Sequence, residues 1–353
     1  MRNELKLGIL GATGMVGQQY IKLLADHPWF KVSRIVGKKS AGMSFKEAAE
    51  WVGEYDPPAS IMDMKVDGAN PESEGADLFV SCLPTDGAKE LEPLYARLYP
   101  TFSDASAYRM EDDVPLIIPE VNAEQGRLVE RQKKSRNWKG FLVTGPNCTS
   151  IGLNMTLKPL DDEFKIRKVI VSTMQAVSGA GYPGVPSLSI IDNVIPYIKD
   201  EEDKVAIESN KILGKFVNGR VEPAGLAVSA MCHRVATIDG HMESVYIETE
   251  KPVSVKDASQ ALRDFTGLPQ SLKLPTAPER PIIVREEPDR PQVRKDKNAG
   301  TVPGMSTVVG RIRPGLDNHS LKYTLLSHNT IRGAAGNTIL TAELFYKQGW
   351  MNL

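Results

Sequence analysis

The segment GILGATGMVGQQY, residues 8–20, constrains the fold more tightly than any other. An apolar run from Leu5 to Leu10 reads as a short strand, and helical spacing runs from Met15 to Ala25. Gly11, Gly14 and Gly17 lie at the junction. A strand that turns on glycines into a helix opens a βαβ unit. Glycine permits the tight turn, lets backbone approach a pyrophosphate, and lets helix pack close to strand. The helix N-terminus then offers N–H groups and a positive dipole to phosphate. The spacing is G-x-x-G-x-x-G rather than the commoner G-x-G-x-x-G, and a glycine-rich turn without a ligand is the bland alternative.

The next segments support the βαβ reading. Lys31 to Val36 is a second strand, and LFVSC, from Leu78 to Cys82, is a continuous apolar run of the kind buried in a parallel sheet. Gly87 to Leu98 reads as a helix, Leu116 to Ile118 and Phe141 to Thr144 as short strands, and Glu124 to Arg136 as a polar helix. The alternation predicts a parallel sheet covered on both faces. Beyond it, Ile166 to Met174 reads as a strand and Glu201 to Leu213 as a charged helix. Alternating runs then occur at Arg234–Ile238, Ser244–Thr249, Ile282–Val284, Thr307–Ile312 and Leu321–Leu326. This pattern predicts an α+β domain on a mixed or antiparallel sheet. A last helix, Ala335 to Gln348, is expected to return to the first domain. The proline- and charge-rich stretch from Leu274 to Pro303 reads as an excursion suited to a dimer arm.

Charge excludes several classes of partner. Lys and Arg number 43 and Asp and Glu 44, a formal net charge of -1, with no basic excess for nucleic acid and no like-charge tail. No apolar run reaches the roughly 18 residues of a membrane span. The opening MRNELKLGILGATG predicts no signal peptide before the first strand. Three cysteines make no disulfide framework and suit a reducing, cytoplasmic compartment. No ligand cluster has metal spacing.

Two places carry chemistry. About 20 residues after the glycines, where an NAD site usually holds an acid, the chain reads VGKKSAG, with Lys38, Lys39 and Ser40. Cations and a hydroxyl suit a 2′-phosphate and favour NADP, although a solvated basic turn looks the same. In TGPNCTSIG, residues 144–152, Cys148 stands at the first turn of a new helix. The dipole there lowers a thiol pKa, and nearby N–H groups suit an oxyanion. The competing reading is a small buried hydrophobe, which fits Cys82; Cys232 is ambiguous. His27 and His319 read as loop residues, while His233, His241 and His328 remain candidate bases that spacing does not separate. Glu201 with Lys204 and Glu208 with Lys211, each at i,i+3, read as ion pairs on a solvated helix face.

Taken together, GATGMVG, SDASAYRMEDDVPLIIPEVN, GPNCTS, MQAVSGAGYPG, HRVATIDGH and HNTIRGAAG resemble the aspartate-β-semialdehyde dehydrogenase family in its archaeal and fungal branch, end to end and in order. The resemblance implies an α/β fold. A Rossmann-type NADP-binding domain spans 1–147 with the C-terminal helix 331–353, and an α+β catalytic and dimerisation domain spans 148–330. It also implies a homodimer or dimer of dimers. Among the histidines it selects His241, seven residues after the substrate arginine Arg234, as a near-neutral acid–base partner of the nucleophile Cys148. It implies that Gln175 orients the substrate and that Arg109, Asn147, Glu201 and Lys204 bind it. Gly11, Thr13, Gly14, Met15, Val16, Gly17, Lys39 and Ser40 are implied on the phosphates and ribose of NADP, and Ser178 and Gly179 on its nicotinamide. The implied reaction is reduction of aspartyl 4-phosphate to the semialdehyde through a cysteine thioester, in the route to lysine, methionine, threonine and isoleucine. An acyl-CoA reductase of malonyl- or succinyl-CoA is the nearest rival, and that branch carries an apolar residue where Asn147 stands. A silent dinucleotide-binding module is the second rival.

Overall fold

A computed structural model describes residues 4–53 and 56–351; residues 1–3 and 352–353, at the ends of the expected domain ranges, lie outside it. The first half builds a parallel six-stranded sheet from β1 (Leu5–Leu10), β2 (Phe30–Val36), β3 (Val66–Asp67), β4 (Leu78–Ser81), β5 (Pro100–Ser103) and β6 (Phe141–Thr144). Its helices include α1 (Met15–Leu24), α2 (Thr85–Ala96) and α3 (Leu128–Arg136). The strand order is β3-β2-β1-β4-β5-β6, so the order reverses between β1 and β4 and opens a crevice at their carboxyl ends. Every residue of β4, β5 and β6 is buried, which is why those strands read as unbroken apolar runs.

The second half contains α4 (Cys148–Phe164), β7 (Ile166–Gln175), α5 (Glu201–Ile212), and a hairpin of β8 (Lys215–Val217) and β9 (Arg220–Glu222). It continues with β10 (Ala227–Arg234), β11 (His241–Thr249), α6 (Val255–Asp264), β12 (Ile282–Val284), β13 (Thr307–Pro314), β14 (Ser320–Ser327) and α7 (Gly336–Lys347). Its sheet runs β10-β7-β11-β14-β13-β12 and mixes parallel and antiparallel pairs. Helix α4 covers one face, with Ile151, Leu153 and Met155 in one core with Val169, Val171, Val245 and Leu325. Helix α7 returns to the first sheet, where Phe345 meets Phe102 and Phe141 at ring-centroid distances of 5.4 and 5.5 Å.

Several expectations change. The strand expected over Arg234–Ile238 instead ends at Arg234, and Leu116–Ile118 contributes a single bridge, from Leu116 to Thr144. Within the 274–303 excursion, Leu274 is buried with Met305, Ile331, Leu340 and Leu344, and Asp296 is hydrogen-bonded by Arg285 and Arg290. His27 is no surface residue: its Nε2 lies 2.7 Å from the buried carboxylate of Glu343, and its Nδ1 accepts from the N–H groups of Trp29 and Phe30. The charged helix α5 is not a solvated face. Glu201, Glu208 and Lys211 are all buried, and their partners lie on other segments. No helix among the described residues is long and apolar enough to cross a membrane.

Candidate active site

The site forms where α4 begins. Asn147 is its N-cap: Oδ1 accepts from the N–H groups of Thr149 and Ser150, satisfying two donors that a helix start leaves open. Cys148 is therefore the first helical residue. The backbone of Gly333 presses against it, since a Cβ there would lie 2.8 Å from the Cys148 Cβ. The Gly333 segment is anchored by Arg332, fully buried and paired twice with Glu120 at 2.8 and 2.6 Å.

His241, the first residue of β11, meets the candidate nucleophile: Cys148 Sγ lies 3.3 Å from Nε2. The Ala176 N–H donates to Nδ1 at 3.1 Å. A nitrogen that accepts carries no proton in the neutral ring, so the proton sits on Nε2 and points at sulfur. Burial pushes His241 down to about 3, with Arg234 and His328 acting in the same direction. Burial pushes the Cys148 thiol up to about 12; Glu201 adds to this, while Arg109 and Arg234 oppose it. These shifts run against the expected dipole-lowered thiol and near-neutral histidine. Desolvation outweighs the dipole, and the resting pair is a thiol beside a neutral imidazole.

The other expected residues surround this pair. Arg234 is buried and donates to the Ala176 carbonyl at 2.7 Å. Gln175 ends β7 beside Arg234 in register and donates to Thr173. Glu201 receives both contacts of the Asn147 amide, at 3.0 Å each, and the Thr149 hydroxyl at 3.3 Å. Asn147 thus has its amide nitrogen on Glu201 and its oxygen on the helix. Arg109 donates to Glu208 at 2.9 Å and to the Asp104 carbonyl at 2.6 Å, and its buried Nε has no partner among the described residues. Lys204, half-buried one turn after Glu201, has no hydrogen bond to these groups among the described residues.

A dinucleotide fits the glycine turn. Gly14 caps α1 without a side chain, so no capping side chain engages the first-turn N–H groups of α1. Gly11 holds φ +90°, and a Cβ on Gly17 would lie 2.5 Å from the Gly11 and Ala12 carbonyls. Thr13 is half-buried at the turn and accepts from the Gln18 side chain. A Cβ on Gly179 would fall 2.8 Å from Arg234 Nη1 and 3.3 Å from His241 Cε1, so any side chain would fill the space beside His241. Lys38 is ion-paired with Glu90 at 2.8 Å, while Lys39 is exposed and Ser40 half-buried.

Two residues escaped the sequence, as did the burial of a third. Asn329, in HNTIRGAAG, donates to Ser178 Oγ at 2.7 Å and accepts from the Gly240 N–H, tying the Ser178 turn to the turn before His241. Glu243, two residues after His241 on the same strand face, is fully buried, and both its oxygens lack a partner among the described residues. Burial holds its carboxyl well above the usual range. Glu208 was visible as a residue seven places from Glu201, hence on the same helix face; only its burial was hidden.

Compared with known proteins, residues 6–128 match the family described as semialdehyde dehydrogenase, NAD binding domain. Residues 157–332 match the one described as semialdehyde dehydrogenase, dimerisation domain. The chain is 52% identical to an aspartate-semialdehyde dehydrogenase of Archaeoglobus fulgidus, over 97% of this chain and 98% of that protein. It is 41% identical to a malonyl CoA reductase (NADP) of Metallosphaera sedula, over 100% of this chain and 99% of that protein. The crystal structure of aspartate semialdehyde dehydrogenase with NADP from Candida albicans is similar with a TM-score of 0.91, at 37% identity over 98% of this chain and 99% of that one.

Proposed function

The chain belongs to the semialdehyde dehydrogenase family, and on that premise we infer that it reduces L-aspartyl 4-phosphate to L-aspartate 4-semialdehyde, with NADPH as reductant and release of phosphate. It is an NADP-dependent oxidoreductase of amino-acid biosynthesis. The observation that carries the site assignment is the Cys148–His241 contact of 3.3 Å at the start of α4, between buried Arg234 and buried Glu201.

Cys148 attacks the acyl carbonyl as thiolate, and phosphate departs to leave a thioester on Sγ. The Nε2–H of His241 donates to that sulfur and favours its anionic form. Proton uptake at Nε2 needs the other tautomer, in which Nδ1–H faces the Ala176 N–H; full acid–base work by His241 therefore requires that contact to loosen. Arg234 suits a carboxylate with two parallel N–H donors, and Glu201 suits the substrate ammonium. Arg109, with its unpartnered Nε among the described residues, and Lys204 suit the phosphate. Gly11, Thr13, Gly14, Met15, Val16, Gly17, Lys39 and Ser40 would hold the phosphates and ribose of the dinucleotide, and Ser178 and Gly179 its ring. When bound, the nicotinamide supplies the hydride that reduces the thioester.

The second reading is a CoA-thioester reductase, favoured by the Metallosphaera sedula relative. It shares the nucleophile and differs in leaving group. Against it, Asn147 and Thr149 both donate to Glu201 and so fix a buried carboxylate beside the nucleophile; malonyl-CoA has no amino group for such a carboxylate. The test supplies aspartate semialdehyde, NADP and phosphate in one assay, and malonate or succinate semialdehyde, NADP and CoA in another. Strong phosphate-dependent turnover in the first is expected. Robust turnover confined to the second would overturn the substrate.

The second half also suits assembly as a homodimer or dimer of dimers. Met231 on the edge strand β10 and Ile191, Val194 and Tyr197 in the preceding segment are exposed apolar side chains, within the region that matches a dimerisation domain. The free cysteines suit a reducing cytoplasm.

A further inference from the structure

We infer that Glu208 is a positioning residue for the reaction: its carboxylate bridges the phosphate-site arginine, Arg109, and the backbone N–H at the start of the nucleophile helix, and so sets where phosphate sits relative to Cys148. This rests on the proposed role of Arg109 in binding phosphate.

The bridge uses both oxygens. Oε1 accepts from Arg109 Nη1 at 2.9 Å, and Oε2 accepts from the Asn147 N–H at 2.7 Å. Glu208 is 2% exposed and Arg109 7%, so neither contact competes with bulk water. Nη2 is held by the Asp104 carbonyl at 2.6 Å. With both terminal nitrogens engaged, the guanidinium plane is fixed, and its Nε is a donor without a partner among the described residues. Charge-assisted contacts of this kind are short and directional, which suits alignment of a planar group.

The same helix fixes the loop that carries Arg109. One turn beyond Glu208, Lys211 donates to the carbonyls of Arg109, Glu111 and Val114 at 2.7, 2.8 and 2.9 Å. Gln125 donates to the carbonyls of Lys211, Ile212 and Gly214, closing the end of α5. At the other end, Glu201 binds Asn147. Helix α5 is thus a bar joined at one end to the nucleophile helix and at the other to the Arg109 loop, with Glu208 touching both. A salt bridge that served folding alone would need only one of these two contacts.

The experiment is a double-substitution cycle with Glu208→Gln and Arg109→Met, read in the oxidative direction. Glu208→Gln is expected to raise the KM for phosphate about tenfold, the scale of coupling between residues in contact. It should lower kcat and leave the KM for NADP unchanged. In the Arg109→Met background the same substitution should add nothing to the phosphate KM. An unchanged phosphate KM, equal effects in both backgrounds, or a KM for NADP that moves in step overturns the inference. If Glu208→Gln does not fold, Glu208→Asp replaces it in the cycle: it keeps the charge but is too short to span both donors, and the same outcomes decide. A parent enzyme without phosphate-dependent turnover overturns the reading of the reaction, and this inference with it. A parent that turns over, beside a Glu208 variant indistinguishable from it, overturns this inference alone.

Discussion

Cys148 sits where a helix dipole favours thiolate, yet burial holds it as a thiol up to about 12. The reactive form is therefore scarce at neutral pH, and alkylation of Cys148 by iodoacetamide in the free enzyme should accelerate about tenfold per pH unit through pH 9 without levelling. A plateau near pH 7 would reveal a resting thiolate–imidazolium pair instead. Cys148→Ala should abolish turnover while NADPH binding, followed by fluorescence, persists. His241→Asn should lower kcat about 10²- to 10⁴-fold, the span of acid–base and hydrogen-bond assistance; a loss of that size at His233 would move the assignment. Ser40→Asp should shift the kcat/KM preference from NADP toward NAD, because a carboxylate repels a 2′-phosphate and accepts from a 2′-hydroxyl. The helix start at Cys148 was legible in TGPNCTS because a cap and a helix start are local. The thiol's pKa was not, because desolvation is a property of what packs around it.

Helices α4 and α5 show how far local pattern reaches. The start of α4 was readable from Pro146 and the Asn147–Cys148–Thr149 run, and it starts at Cys148. The i,i+3 charges of α5 were equally visible, but spacing on a helix reports only which residues share a face, not whether that face meets water. Glu201 and Glu208, seven apart, face Asn147 from two successive levels. Asn147→Ala should cost about 1 kcal/mol from the lost cap alone, and more because Glu201 loses the Asn147 amide donor. Thermal unfolding at pH 7 against Asn147→Asp, which keeps the cap oxygen but places a second carboxylate beside Glu201, separates the two effects. If the alanine variant matched the parent in both stability and kcat, the cap would have no part in holding the site.

At the scale of the whole molecule, the glycine junction and the buried runs of β4 and β6 were enough to expect a parallel sheet, and the alternating runs after Glu201 a mixed or antiparallel one. The misplaced strand at Arg234–Ile238 and the burial of His27 depended on partners far away in the chain, such as Glu343, which no local period encodes. Those tertiary choices also shape stability. Glu92, buried on α2 and hydrogen-bonded by Ser103 of β5, is raised to about 7, chiefly by burial. Unfolded, it ionises near 4.5; folded, it keeps its proton to about 7. Between those values the folded state binds more protons, so stability falls as pH rises, by about 3 kcal/mol in all. Glu92→Gln should therefore gain most over the parent at about pH 8 and least at about pH 4.5 in denaturant titrations; a difference independent of pH would contradict the assignment. The central claim, that the molecule brings two sheets together to make an acyl-thioester on one cysteine, has a direct measurement. The enzyme is mixed with aspartate semialdehyde and NADP in the absence of phosphate, and the burst of reduced nicotinamide is read alongside peptide mass spectrometry. The account predicts one equivalent per site and an aspartyl adduct on Cys148 that phosphate discharges. No burst, an adduct on another residue, or an adduct that CoA discharges and phosphate does not, would contradict it.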